Sequence, residues 1–165
     1  MSLLLFERFG VEGVFVQDSA VLSLYAVGRL TGCVADCGQS KIDIAPVYEG
    51  LLRPQAIRRL SFGVRDIDAA LRAQLDLASE TVEQLREQHA TVCETQEAFD
   101  TWIGGDGEKS YVLPDGKTID VKERTCAWIG EVLFRPDLLD VTGPGIAEGI
   151  YQSTYCQVGR PKGIE

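Results

Sequence analysis

The sequence predicts a mixed α/β fold, and three stretches carry that expectation. Asp18 to Gly50, DSAVLSLYAVGRLTGCVADCGQSKIDIAPVYEG, reads as a helix, a turn and a β-hairpin. Ile67, Leu71, Leu75 and Leu77, and then Val82, Leu85, His89 and Val92, recur at helical spacing. KSYVL and TIDV flank PDGK, whose Pro-Asp-Gly run supplies hairpin turn chemistry. With 165 residues and 45% hydrophobic content the chain can bury one sizeable core, which excludes a disordered tail.

In chain order, Glu12 to Val16 reads as a strand leading into the first helix. Asp18 can cap that helix from about Ser19, and Gly28 stands where a left-handed residue ends it. Val21, Leu24, Tyr25 and Gly28 share its apolar face. TGCVADC is a short strand, GQSK a turn, and IDIAPVY a second strand that is apolar on both faces, the pattern of a sheet covered on both sides. Leu51 to Phe62 contains Pro54 and little periodicity, so it reads as a connection with one short strand around Arg59 to Phe62. Helices are expected from Asp66 to about Ala78, from near a Thr81/Gln84 capping box, and from Glu94 to Trp102. Gly104 to Gly107 is a flexible loop. After the Lys109 to Val121 hairpin come short helices broken at Pro136 and Pro144, with a last one near Ile146 to Tyr155.

A formal charge of −9 and a pI near 4.6 argue against a nucleic-acid or anionic-membrane surface as the main partner. The densest basic region, Arg58, Arg59 and Arg65, is spaced in the manner of solvated or paired arginines. Five cysteines (33, 37, 93, 126 and 156) lack CxxC spacing, which suggests neither a disulfide framework nor a zinc site and favours a reducing compartment. Met1 to Phe6 is too short an apolar run for a signal h-region or a membrane span, so a soluble, intracellular protein is expected. His89, the single histidine, sits on an apolar stripe and reads as a packed residue.

VLSLYAVGR, the strand ending Val34-Ala35-Asp36-Cys37-Gly38, and Pro46-Val47-Tyr48-Glu49-Gly50 resemble the middle of an actin or actin-related protein. Ala56-Ile57, Arg59-Leu60, Arg65-Asp66, Glu108 to Tyr111, Leu113 to Gly116, Leu133-Phe134 with Pro136, and Gly145-Ile146 through Tyr151 follow in that family's order. The resemblance runs from Phe6 to about Cys156. It implies part of an actin-like (ribonuclease H-like) inner domain with a small α+β outer subdomain. The inner portion is expected over residues 1–62, the outer subdomain over 63–141, and a returning helix and tail over 142–165.

The chemistry centres on Asp36 to Ser40. A tight turn between strands can point backbone N–H groups at a phosphate, and an acidic residue at the strand end can hold a hydrated Mg²⁺. Read without the family, the same glycine is simply a turn. The resemblance makes this the second phosphate-binding loop, patterned Asp-x-Gly-Asp-Gly. Asp36 and Gly38 keep the pattern, whereas Gln39 and Ser40 replace its second Asp and Gly. It also implies a glutamine and a histidine around the attacking water, where this chain has Ser19 and Asp43. Ser19 is too short for that task, and Asp43 would set an anion beside a triphosphate, so efficient hydrolysis is not expected. Arg86-Glu87 corresponds to a Lys-Glu pair against the nucleoside, or is an exposed helix pair. Val64 stands where the family has a glycine before Arg-Asp, with Gly63 preceding it.

The family's first phosphate loop and its Gly-Gly-Thr adenosine turn have no counterpart in these residues. The resemblance therefore implies a truncated, non-catalytic actin-related protein with no cofactor. It would be a structural or interaction subunit, cytoplasmic and cytoskeleton-associated or in another multi-protein complex, with protein partners over an incomplete sheet. The other reading is half of an ATP site, with Asp36, Gly38, Arg86 and Glu87 holding ATP and Asp36 holding Mg²⁺ through water, completed by another chain.

Overall fold

The computed structural model describes residues 3–102, 107–112, 116 and 118–158, the last three of these by backbone only. A π-helical turn, Leu4–Arg8, precedes the first helix, α1 (Ser19–Ala26). The chain leaves α1 through a left-handed Gly28 at φ +71°. The Arg29 N–H reaches the Leu24 carbonyl at 2.9 Å and the Gly28 N–H that of Tyr25 at 3.0 Å, the paired bonds of a Schellman end.

Four antiparallel strands follow: β1 (Gly32–Cys37), β2 (Ile42–Tyr48), β3 (Leu51–Leu52) and β4 (Arg58–Leu60). β2 is central. β1 pairs with it from Gly32 opposite Val47 to Cys37 opposite Ile42, while its other edge carries β4 beside residues 42–44 and β3 beside residues 47–48. Pro46 falls in the gap between β4 and β3, so its missing N–H costs no ladder bond on that edge, and its carbonyl accepts from the Arg53 N–H at 3.1 Å.

The alternation of β2 assigns its faces. Ala45 and Val47 pack with Ala20, Val21 and Leu24 of α1. Ile42 and Ile44 face the final helix α6, in which Gly149 admits the Ile44 side chain so closely that a Cβ there would stand 2.5 Å from Cδ1. Both isoleucines are fully buried, each contributing roughly 1.5–3 kcal/mol over exposure. The same core continues through Leu60 and Phe62 into Ile67, Leu71, Val82 and Leu85. These last come from α2 (Val64–Leu75) and α3 (Ser79–His89). The remaining elements are α4 (Gln96–Thr101), the hairpin β5 (Glu108–Val112) and β6 (Thr118–Lys122), α5 (Glu123–Glu131), a 3₁₀ turn at Pro136–Leu139, and α6 (Ile146–Val158). Buried Ser153 on α6 donates to the Ala56 carbonyl at 2.8 Å, tying that helix to the turn before β4.

Several local expectations need correction. Residues 12–16 form no strand: no described segment pairs with them, and Phe15 and Val16 are 72% and 82% exposed. The Asp18 side chain makes no capping bond. Tyr25 turns outward, 42% exposed, and Ala20 takes its place on the packed face. The connection after β2 holds a further strand, β3, made by a two-residue turn with Glu49 and Gly50 at φ +51° and +74°. β4 lies one residue earlier than expected and ends at Leu60. α2 starts at Val64, where Gly63 and Asp66 cap it, and ends at a left-handed Asp76. α3 starts at Ser79, which puts Thr81 inside the helix, and stops before Val92. Thr95 does cap α4, its hydroxyl accepting from the Ala98 N–H at 3.1 Å. Most of the 104–107 loop and of the Pro-Asp-Gly turn lies outside the described residues. Gly116 of that turn is left-handed at φ +82°.

Candidate functional site

The β1–β2 loop, Gly38 to Lys41, closes on itself through the Gly38 N–H and the Lys41 carbonyl at 2.9 Å. Its outward carbonyls face the start of α2. The Val64 N–H donates to Gly38 O at 3.1 Å and the Arg65 N–H to Gln39 O at 2.9 Å. Asp66 and Ile67 donate to the Gly63 carbonyl, and the Gly63 N–H reaches Asp66 Oδ2 at 2.9 Å. All four leading N–H groups of α2 thus have partners within the chain, and the positive end of the helix meets carbonyl oxygens. Gly63 is required by this approach: a Cβ there would stand 2.6 Å from both loop carbonyls. The N–H groups of Gln39, Ser40 and Lys41 have no main-chain partner among the described residues.

Asp36 lies opposite Asp43 across the hairpin. The two carboxylates differ in surroundings. Asp43 is bracketed by Lys41 at 2.7 Å and by Arg59, its cross-strand neighbour on β4, at 2.6 Å. Burial pushes the Asp43 carboxyl up, but the hydrogen bonds from Arg59 and Lys41 outweigh it and hold the pKa below the ordinary carboxylate value. The Asp36 side chain is exposed and has no ion pair or hydrogen bond among the described residues. The neighbouring Cys37 thiol is pushed up, first by burial and then by the charge of Asp36, which argues against a reactive thiolate. Ser19 is exposed at the start of α1, its carbonyl accepting from the Ser23 hydroxyl at 2.8 Å.

Arg86 lies on α3 and ties it to α2 through Asp68 at 2.9 Å, with both side chains mostly buried. Glu87 turns outward and touches Arg86 only at 3.7 Å. Asp68 is four residues beyond Val64, about 6 Å along the helix, so Gly38 and Arg86 bind the same end of α2. The structure gathers Asp36, Gly38 and Asp43 on one hairpin and Arg86 one helical turn away, while Glu87 stays on the outer surface. His89 packs its ring on Tyr111 with centroids 3.8 Å apart. Burial, followed by the hydrogen bond to Cys126, pushes the Tyr111 phenol up to about 12.

Sequence reasoning missed Lys41 and Asp68; it named Gly63 and read Arg59 as solvated or paired, but gave neither its partner. Lys41 and Asp43 share a strand face at a two-residue spacing, which was a local signal. Arg59 and Asp68 become neighbours only through the β2–β4 register and the α2–α3 packing.

A β-hairpin loop clasping a helix N-terminus, on a sheet covered by α1 and α6, makes a mixed α/β fold consistent with part of an actin-like one. The sequence model of the family Actin matches residues 1–80. The chain is 38% identical over 161 residues to actin-related protein 7 of Oryza sativa subsp. indica, covering 93% of this chain and 44% of the relative. Centractin of Saccharomyces cerevisiae is 32% identical over 169 residues, 94% of this chain and 44% of that protein. Actin-related protein 2 of Arabidopsis thaliana is 36% identical over 166 residues, 90% and 41%. The chain is thus similar to actin and actin-related proteins along nearly its whole length, and it spans less than half the length of these curated relatives. Among the described residues no helix is long and apolar enough to cross a membrane.

Proposed function

We propose that this chain acts as a non-catalytic structural or interaction subunit of a larger multi-protein assembly, cytoskeletal, motor-associated or nuclear. One observation carries the reading: the cations and the loop carbonyls of the candidate site are engaged inside the chain. The loop carbonyls hold α2, Lys41 and Arg59 hold Asp43, and Asp68 holds Arg86. Phosphoryl transfer depends on positioned cations that face the substrate, and the cations near this hairpin are committed to carboxylates of the chain. A need for protein partners is supported by the exposed apolar run Val14, Phe15 and Val16, because contiguous apolar surface of this kind marks an interface. Titration calorimetry of the purified chain with MgATP tests the reading. Binding absent or weaker than micromolar is expected; micromolar or tighter affinity overturns it.

The second reading is a half-site for ATP completed by another chain, and a different observation favours it. The Gln39 and Ser40 N–H groups point to no main-chain acceptor, and Asp36 is exposed without a counter-ion. These groups fit one face of a nucleotide site, the amides for a phosphate oxygen and Asp36 for a hydrated Mg²⁺. Bound ATP would supply the triphosphate that such amides and cation recognise. Arg86 fits less well, since its guanidinium is already spent on Asp68. Even here Ser19 and Asp43 leave no group to activate water. Phosphate release from the assembled complex, lost on Asp36→Ala, would show turnover and refute the non-catalytic part of both readings.

A further inference from the structure

Away from the hairpin, the segment joining α3 to α4 and the end of α5 enclose a cleft of about 370 Å³. Glu131, the last residue of α5, lines it and is only 5% exposed. Its carboxylate has no hydrogen bond or ion pair among the described residues. Position makes this costly, because a buried anion at a helix C-terminus meets the negative end of the macrodipole and has lost its water. The cation that shares the lining offers no relief: Arg135 is bound to Asp100 at 2.5 Å and to Asp137 at 3.5 Å. Cys93, on the opposite wall, feels the unneutralised charge; burial and then Glu131 push its thiol up. The wall itself is fixed, since the Thr91 N–H donates to the Cys126 carbonyl at 3.0 Å and the Thr91 carbonyl packs where a side chain at Gly130 would stand.

The missing partner is a cation, and the lining selects its kind. Among the described residues no three side chains are grouped to hold a metal ion, and the cleft is far larger than one ion needs. Phe134 lines the same cleft and is 42% exposed, offering an apolar and π surface within it. A planar guanidinium on an aliphatic stem satisfies both, donating two parallel N–H bonds to the carboxylate and stacking on the ring, where a compact ammonium satisfies only the charge. We propose that this cleft receives the arginine side chain of a partner protein, with Glu131 as its acceptor and Phe134 as its stacking wall.

The test is amide chemical-shift titration of the isotope-labelled chain with N-acetyl-arginine amide, against its neutral isostere N-acetyl-citrulline amide and against N-acetyl-lysine amide. Saturable shifts confined to residues 92–96 and 131–135 are expected with the arginine compound, with roughly tenfold weaker binding for the other two, the discrimination one good interaction supplies. Glu131→Gln should weaken arginine binding by a similar factor, and Phe134→Leu by less. No saturable shift, equal response to citrulline, or equal response to lysine would each overturn the assignment. Tighter binding of free arginine than of the capped form would mark a small-molecule site and overturn the protein partner. Should Glu131→Gln fail to fold, the arginine-to-citrulline ratio on the unaltered chain decides.

Discussion

Replacing Gly63 with alanine tests whether the β1–β2 loop is a structural clasp on α2. The Cβ would stand 2.6 Å from the carbonyl oxygens of both Gly38 and Gln39, which are backbone atoms and cannot swing aside. Gly63 is extended at φ −155°, a conformation alanine adopts freely, so the whole effect is steric. Relief requires loop and helix to separate, which lengthens the bonds of Val64 to Gly38 at 3.1 Å and Arg65 to Gln39 at 2.9 Å. Overpacking costs about 1–3 kcal/mol and each lost hydrogen bond about 1 kcal/mol, giving about 2–4 kcal/mol with partial relaxation. That is a large share of the roughly 5–15 kcal/mol of a typical domain. Urea unfolding at constant m-value reads it directly. Gly28→Ala is the control: nothing lies within 4 Å of the added carbon, but φ is +71°, so a loss of only about 1–2 kcal/mol is expected from backbone strain. A Gly63→Ala loss below about 0.5 kcal/mol would refute the clasp and return the start of α2 to consideration as an anion site.

Ile44→Ala removes a fully buried side chain between β2 and Gly149 of α6, and a loss of about 2–5 kcal/mol on denaturation is expected; a loss under 1 kcal/mol would mean α6 is not seated there. Asp43 has a folded pKa below its unfolded value of about 3.9. Its contribution is therefore present above that value and fades as pH falls through the folded one. Stability measured from neutral to strongly acid pH should fall less steeply below pH ~4 in Asp43→Asn than in the unaltered chain, and matching slopes would count against the Lys41–Asp43–Arg59 bracket. A double-mutant cycle on Arg86→Ala and Asp68→Ala should return a coupling of about 1 kcal/mol or more, above the median for exposed pairs because both side chains are mostly buried. No measurable coupling would free Arg86 for the nucleotide reading.

The elements that were legible in the sequence are those fixed by local chemistry. The strand run Ile42 to Tyr48 and Gly28 after α1 each specify a conformation within a few residues, whereas the Thr95 cap, an equally local signal, went unread and the helix was expected to start at Glu94. The Glu12 to Val16 error has the opposite cause. An apolar, β-branched run states a preference for extended backbone, but a strand exists only where another edge pairs with it, and no described segment does. β3 is two residues long, too short to show a period, although Gly50 after Glu49 was a usable turn signal. The candidate site divides in the same way. Asp36, Gly38, Arg86 and Glu87 could be named from motif order, but their availability depends on Arg59 and Asp68, each sixteen or eighteen positions from its partner.

Electrostatics links the clasp to the proposed non-catalytic reading of the site. A hairpin that faces a phosphate presents N–H dipoles outward, whereas here Gly38 and Gln39 turn their carbonyls to α2 and neutralise the helix end that would otherwise add positive field. The local charges sharpen the point. Lys41 and Arg59 are both drawn to Asp43, which leaves Asp36 as a surplus negative charge on the same hairpin. A triphosphate approaching this surface meets repulsion from Asp36 unless a divalent cation arrives with it. Any nucleotide affinity should therefore vanish when Mg²⁺ is chelated, and Asp36→Asn should partly restore binding of the metal-free nucleotide while weakening that of the Mg²⁺ complex. Calorimetry with and without chelator separates the two. Metal-free binding as tight as the Mg²⁺ form in the unaltered chain would show that Asp36 does not face the nucleotide, and the half-site reading would lose the residue on which it rests.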